Sequence, residues 1–176
     1  FSYRGVAREY HHSTGAKFVD PVTELNKRAP AAPAVESGVS SDIEVIVDDN
    51  NPIHGVTGCD RYVARAIHGF DPTNHTPNWM RRRLIRAGMR SISLAVDVTN
   101  YVMLDLGQPM HAYDLDKIEG PIVVRRAAEG EKLTTLDGKE HDLSVEDLLI
   151  TDSPDGKRGS RILGIAGVMG GLYGEV

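Results

Sequence analysis

The sequence contains little that would support covalent or metal-dependent chemistry. It has one cysteine, Cys59, in 176 residues, which excludes an internal disulfide framework and a cysteine-rich zinc site. Neither the HExxH spacing of zinc peptidases nor the GxSxG turn of serine hydrolases is present. No histidine can be assigned as a partner to Cys59, which we interpret as a small core residue. These absences disfavour a free-standing esterase or deacylase.

The sequence also lacks long apolar runs and an excess of basic residues. Without a run of about 18 apolar residues, no membrane span is expected. The formal net charge is -5, whereas a dedicated nucleic-acid module is normally basic, so contact with RNA would need a local patch or a partner domain. A single cysteine fits a reducing cytoplasm, where we expect the protein to act. We also expect the chain to be cut from a longer polypeptide, since it starts at Phe1 without methionine and stops at Val176.

Hydrophobic spacing divides the chain into an N-terminal part and a larger domain. Apolar residues spaced for a helix occur between Ser2 and His12, and Gly15 follows where that helix would end. The stretch from Asn26 to Ser41 is rich in alanine and proline, which favours an extended arm. We therefore predict that residues 1–41 form a helix with an extended arm. Residues 42–176 would form the main domain, truncated at its C-terminus.

The first half of the main domain carries signals for strands and for capped helices. Thr76 and Pro77 resemble a helix start, with Thr76 as the cap, and Gly107 is placed to end a later helix. Trp79 and Leu84 are expected among the buried positions of the first of these helices. The predicted elements are strands at Asp42–Asp48 and Asp60–Phe70, and helices at Asn78–Ala87 and Val96–Leu106.

After Gly107 the pattern becomes that of β-structure. Asp137-Gly138 is a strong hairpin signal between two short apolar-polar alternations. Further strands are predicted at Pro121–Ala127, Leu148–Thr151 and Arg161–Ala166. The predicted fold class is therefore α+β, a compact module with a mixed sheet, packed helices and a smaller β-rich unit at about residues 121–156.

Hydrogen-bonding side chains are most concentrated between Val96 and Asp116. Thr99, Asn100 and His111 lie close together in sequence around a helix and a tight exit at Gly107. Such a group suits a small polar ligand beside an apolar pocket. The residues by themselves favour the alternative, a capped helix followed by a turn with His111 merely hydrogen-bonded.

Two further segments have a functional and a structural interpretation. The glycine-rich stretch Ile165–Gly171 follows a predicted strand and lets backbone approach a ligand, although a sharp turn needs the same residues. Arginines cluster on the helix that follows Pro77. They suit phosphate groups, but a solvated or intersubunit face is an alternative. The cluster consists of Arg81, Arg82, Arg83, Arg86 and Arg90.

Three longer segments resemble the β subunits of bacterial phenylalanyl-tRNA synthetases. They are VDVTNYVMLDLGQPMHAYDLDKI (96–118), VRRAAEGEKLTTLDGKEHDL (124–143) and ILGIAGVMGG (162–171). The upstream YRGVAREY and DRYVARAIHGF also fit this family. Because these matches occur in order over nearly the whole chain, the resemblance is more specific than any single motif, and it covers most of the family's editing region.

The resemblance implies an α2β2 enzyme that attaches phenylalanine to tRNA(Phe) with ATP and Mg²⁺. Synthesis would be carried by the α subunit, while this region would hydrolyse mischarged tyrosyl-tRNA(Phe) without a cofactor or metal of its own. By motif, the resemblance assigns seven residues to the editing site. These are Thr99, Asn100 and His111 as catalytic residues, and Pro109, Ala166, Gly167 and Gly170 as substrate-binding residues.

Two departures from the family pattern leave a second function open. The family's tyrosine-reading glutamate is expected roughly 15 to 20 residues after the AGxMGG loop, beyond Val176. SISLAVDVTN also replaces a commoner pattern with two asparagines. The alternative is a non-catalytic structural or tRNA-docking module of the same subunit.

Overall fold

Helices and strands separate into two compact units. The computed structural model describes residues 1–28, 43–49, 52–53 and 55–176. One unit comprises Phe1–Val39 and Phe70–Ala112, and the other comprises Ser40–Gly69 and Tyr113–Val176. Within the described residues, the α-helices belong to the first unit and the strands to the second. The predicted boundary between residues 41 and 42, and most of the predicted arm, lie outside the described residues.

Four α-helices are found among the described residues of the first unit, and the first and fourth have conventional caps. The N-cap of the first is Ser2, whose hydroxyl accepts from the Gly5 N–H at 3.0 Å, and the helix ends at Gly15 in the left-handed region. The helix predicted to end at Gly107 does so, since Gly107 has φ 84° and donates to the Met103 carbonyl. The helices are α1 (Tyr3–Thr14), α2 (Pro21–Arg28), α3 (Asn78–Arg86) and α4 (Leu94–Leu106).

Helix α3 differs from the prediction at its start and on its surface. Pro77 occupies the N-cap position, and the predicted cap, Thr76, instead donates its hydroxyl to Asp97. Leu84 is fully buried as expected, but Trp79 is 52% exposed. The prediction that Trp79 is buried is therefore wrong, because Met80, one position along, fills the inward-facing place.

The second unit contains a five-stranded sheet in the order β1-β2-β5-β6-β7 and a separate two-stranded hairpin, β3-β4. Strand β1 is parallel to β2, and the remaining pairs are antiparallel. The predicted α+β class with a mixed sheet is thus confirmed. The strands are β1 (Val45–Asp48), β2 (Ile122–Arg126), β3 (Lys132–Thr134), β4 (Glu140–Asp142), β5 (Leu148–Asp152), β6 (Arg161–Ile165) and β7 (Met169–Gly170).

One predicted strand is not formed. The segment from Asp60 to Phe70 is irregular, although Tyr62, Ala64 and Ala66 are half-buried and their neighbours exposed, as the alternation indicated. A strand also needs a partner for its backbone hydrogen bonds, which the local sequence does not specify.

The core of the second unit lies between its central strands and the hairpin. Val123, Val124, Leu149 and Leu163 are at most 1% exposed. Leu149 belongs to a cluster with Leu133 of the hairpin, and partly buried side chains of β6 pack against it. The continuous burial of β2 explains its run of apolar residues, which is typical of a strand covered on both faces.

A buried ion pair joins β2 to the chain after β1. Asp49, the residue that follows β1, is only 5% exposed. Arg126 Nε lies 2.8 Å from Asp49 Oδ1, and the N–H groups of Gly58 and Cys59 also donate to this carboxylate. Burial acts to raise the pKa of Asp49, but these hydrogen bonds outweigh it and lower the pKa.

Arg126→Met is expected to cost about 3–5 kcal/mol of unfolding free energy, because it leaves the Asp49 carboxylate buried without its cation. Arg158→Met is the matched control, since Arg158 pairs with the adjacent Asp48 in a partly exposed position, and its cost should stay below about 1 kcal/mol. Urea unfolding measures both. Equal costs would contradict the assigned role of the buried pair.

Candidate functional site

Four of the seven predicted site residues lie on α4 and the loop that follows it. Thr99 and Asn100 are consecutive, half-buried residues in the middle of α4. Pro109 and His111 are in the irregular segment after Gly107, and both keep exposed surface. At Gly107 an added Cβ would lie 3.0 Å from the Ser2 hydroxyl. Glycine at this position therefore allows both the left-handed turn and close packing of this loop against the start of α1.

The side chains of Thr99 and Asn100 offer different hydrogen-bonding groups. The Thr99 hydroxyl donates to the Val96 carbonyl at 2.9 Å, a bond within the helix that leaves the oxygen able to accept from a ligand. Asn100 carries both an acceptor and two donors in its carboxamide. The pair can therefore accept one hydrogen bond and donate another at neighbouring positions on α4.

His111 is a titratable group whose pKa is shifted by its surroundings. Desolvation by the surrounding chain lowers the pKa of its imidazole from the ordinary 6.5, so the ring is neutral at neutral pH. A neutral imidazole has one nitrogen that can accept a proton. The residue can therefore act as a general base or as a hydrogen-bond acceptor for water.

The other three predicted residues, Ala166, Gly167 and Gly170, lie in the hairpin formed by β6 and β7 of the second unit. Gly167 is at the exposed tip with φ 71°, a conformation that favours glycine. The Ala166 N–H donates to the Leu148 carbonyl at 2.8 Å. That amide is therefore occupied within the sheet rather than presented to a ligand.

The glycine spacing of this hairpin also has a packing reason. An added Cβ at Gly164 would lie 3.0 Å from the Met169 carbonyl and 3.1 Å from the Gly170 Cα. At Gly171 it would lie 2.9 Å from the Leu133 side chain. The structural interpretation of the motif, a sharp turn with close strands, thus accounts for Gly164 and Gly171, while the exposed Gly167 needs only its φ angle.

Sequence reasoning missed Asp97, which is completely buried at the first turn of α4. Its carboxylate accepts from the hydroxyls of Thr76 and Ser91, both at 2.5 Å, and from the Ile92 N–H at 2.9 Å. Burial acts to raise the pKa of Asp97, but these hydrogen bonds outweigh it and lower the pKa. An acidic residue among apolar ones in the first turn of α4 was the available signal.

A cleft of about 1010 Å³ opens beside this network in the first unit. None of the seven predicted site residues lines it. The residues that do line it include Thr76 and Ser91, which bind Asp97, and also Asn74, His75 and Arg81. The lining of the cleft therefore mixes polar and apolar side chains and includes one arginine.

Neither a metal site nor a membrane-spanning helix is found in the described part of the chain. Its His, Cys, Asp and Glu residues include no group of three placed to hold a metal ion. None of the helices described there is long and apolar enough to cross a membrane.

We expect the His111 imidazole to titrate with a midpoint below about 6.5. An NMR titration of the ring protons, assigned by their loss in His111→Gln, measures this midpoint. Because the unfolded chain binds this proton more readily, the free energy of unfolding should fall as the pH drops below about 6.5. A midpoint at or above that value would contradict a neutral, proton-accepting His111.

Comparison with known proteins gives one family over most of the chain. A family model described as the B3/4 domain matches residues 58–176. The phenylalanine–tRNA ligase β subunit of Bifidobacterium longum is 80% identical over 99% of this chain. Those of Leifsonia xyli and Streptomyces avermitilis are each 49% identical, over 100% and 99% of it.

The chain spans about a fifth of the length of these relatives, 20%, 19% and 18% respectively. The resemblance inferred from the three sequence segments is confirmed by these matches, which extend from end to end of the chain. The chain belongs to the B3/4 domain family and corresponds to a part of the phenylalanine–tRNA ligase β subunit.

Proposed function

We propose that this chain contributes to the hydrolysis of tyrosyl-tRNA(Phe), an editing reaction within phenylalanine–tRNA ligase. The observation that carries the proposal is the placement of Thr99 and Asn100 on α4 with His111 in the segment beyond its end, where burial lowers the pKa of the imidazole. These groups supply hydrogen bonds and a proton acceptor without a nucleophilic side chain. That set suits attack by water on an ester.

The difficulty of rejecting tyrosine at a site shaped for phenylalanine explains why such an enzyme needs a second site. An apolar pocket shaped for phenylalanine rejects an analogue with one extra hydroxyl by only about 10²-fold. When greater accuracy is needed, a separate site that hydrolyses the wrong product can provide it. Such a site gains selectivity if it hydrogen-bonds the tyrosine hydroxyl, since phenylalanine would leave that polar partner unsatisfied.

In the proposed reaction, water attacks the ester carbonyl and the tRNA hydroxyl leaves. His111 accepts a proton from that water and returns it to the leaving tRNA oxygen, and the Asn100 carboxamide donates to the carbonyl oxygen that becomes negative. The Thr99 oxygen accepts a hydrogen bond that orients the water or the substrate ammonium. The loop at Pro109 would border the amino-acid side chain, as the family resemblance implies.

The glycine hairpin is assigned to substrate by resemblance, and the assignment is part of the proposal. In the second unit considered by itself, Gly167 presents an exposed backbone that could contact a substrate, with Ala166 and Gly170 on either side. The occupied N–H of Ala166 argues that this residue would contribute its surface rather than a hydrogen bond.

Further proposals concern the whole enzyme. The names of the relatives give phenylalanine and tRNA as what is joined, and we propose tRNA(Phe) and an α subunit in an α2β2 assembly as partners. ATP and Mg²⁺ would serve synthesis in the α subunit, and the enzyme would act in the cytoplasm. Tyrosine would be the amino acid released by editing.

A non-catalytic tRNA-docking role is the second candidate. The observation that favours it is the set of exposed arginines on and after α3, Arg81, Arg82, Arg83, Arg86 and Arg90. RNA docking and hydrolysis are compatible, but docking alone would predict that Asn100 and His111 have no effect on ester cleavage.

We expect Asn100→Ala and His111→Ala in the whole α2β2 enzyme to slow tyrosyl-tRNA(Phe) hydrolysis by about 10²-fold or more each. The reason is the loss of a transition-state donor in one variant and of a general base in the other. Release of labelled tyrosine from preformed tyrosyl-tRNA(Phe) measures the rate, and phenylalanine attachment should be unchanged.

Asn26→Ala and His141→Ala are matched controls, because both side chains are exposed and belong to other elements, α2 and β4. Neither should alter tyrosine release. If the Asn100 and His111 variants release tyrosine as fast as these controls, the assignment of the two residues to an editing site is wrong, and docking becomes the better account.

A further inference from the structure

Helix α4 is anchored by a buried carboxylate rather than by a buried apolar side chain. The structure describes the whole of Leu94–Leu106, and Asp97 is the one residue of this helix that is buried, with 0% exposure. The apolar side chains of α4 are half-buried or exposed. Because apolar packing is non-directional and hydrogen bonds are directional, we expect the orientation of α4 to depend strongly on the bonds that Asp97 makes.

Both oxygens of this carboxylate are held by donors from outside α4. The hydroxyls of Thr76 and Ser91 donate to Oδ2, and the Ile92 N–H donates to Oδ1. Thr76 lies two residues before α3, whereas Ser91 and Ile92 belong to the connection between α3 and α4. Hydrogen bonds to an ionised acceptor are among the strong ones, so this set fixes both the rotation and the height of the first turn of α4.

The proposed hydrolytic groups of α4 are directly coupled to this first turn. Residues three positions apart are neighbours on a helix surface, and Asn100 follows Asp97 by three. Asn100 is half-buried, so it lies where the buried side of the helix meets the surface. The Thr99 hydroxyl donates to the carbonyl of Val96, the residue before Asp97. A rotation or shift of the first turn would therefore move the Asn100 and Thr99 side chains together.

We propose that Asp97 is a positioning residue for the ester hydrolysis, which acts by aiming the Asn100 carboxamide at the carbonyl oxygen of the substrate. Catalytic groups must be held within about 0.5 Å and 10–20° of their productive geometry. The Asp97 carboxylate is buried and occupied by three donors, so we assign it no contact with the reacting atoms. The inference rests on the proposed function, because it requires Asn100 to be the transition-state donor.

A purely structural role for Asp97 makes a different prediction about combined substitutions. If Asp97 only stabilises the first unit, its loss and the loss of Asn100 affect hydrolysis independently, and their effects on the rate multiply. If Asp97 acts through Asn100, its substitution has nothing left to misplace once the carboxamide is gone. Residues that act as a unit show this non-additivity in their kinetics.

The test measures kcat and KM for tyrosyl-tRNA(Phe) hydrolysis in the whole enzyme carrying Asp97→Asn, Asn100→Ala or both. Asparagine keeps the size of aspartate but replaces one acceptor oxygen with a donor, which opposes the donors that now bind it. We expect Asp97→Asn alone to lower kcat by about 10²-fold through misplacement, with little change in KM. In the Asn100→Ala background the same substitution should change kcat by less than about twofold.

Asp49→Asn is the matched control, because Asp49 is also a buried carboxylate and accepts from the Gly58 and Cys59 N–H groups and from Arg126. It belongs to the other unit, and its substitution should leave kcat for tyrosine release unchanged.

Ser91→Ala is a milder variant that removes one donor and keeps the Asp97 carboxylate. It should lower kcat by a smaller factor, again without effect in the Asn100→Ala background. This variant carries the test if Asp97→Asn does not fold. Circular dichroism and phenylalanine attachment establish that each enzyme is intact.

The outcomes separate the positioning role from the proposed function. Multiplying effects of Asp97→Asn and Asn100→Ala would overturn the positioning role, as would an equal loss of kcat in Asp49→Asn. Unchanged hydrolysis in Asp97→Asn would overturn it too, and in these three cases a slow Asn100→Ala variant would leave the proposed function standing. If Asn100→Ala itself releases tyrosine at the normal rate, the proposed function fails and the positioning role fails with it.

Discussion

The buried carboxylate of Asp97 is the interaction on which the first unit depends. Three donors from two loops, Thr76, Ser91 and the Ile92 N–H, converge on one side chain at the start of α4. Removing an acceptor from buried donors costs about 1–3 kcal/mol for each group left unsatisfied. The same network therefore fixes the start of α4, the entry to α3 and one wall of the cleft.

This network lies at the start of the two helices for which functional roles are proposed in the first unit. Helix α4 carries Thr99 and Asn100 within one turn of Asp97, and α3 begins two residues after Thr76. The proposed hydrolytic groups on α4 and the exposed arginines of α3 are thus built on helices that share one polar anchor. In the second unit, Asp49 and Asp152 play a comparable structural part, each bound by an arginine across the sheet.

Features set by local chemistry could be predicted from sequence, while those set by distant residues could not. Gly107 ends α4 because a left-handed residue is needed there, and the Asp137-Gly138 pair lies between β3 and β4 as expected. The 60–70 segment lacks the partner that would make it a strand, and the burial of Asp49 depends on Arg126, 77 positions away. The seven site residues came from family resemblance, and their roles remain predictions.

Native-state hydrogen exchange of Asp97→Ala tests most directly whether this carboxylate organises the proposed site. The account predicts that the amides of α4 around Thr99 and Asn100 lose most of their protection in the variant. The strand amides of Leu149 and Thr151, in the other unit, should keep theirs. Unchanged protection in α4, or an equal loss in both units, would contradict the account.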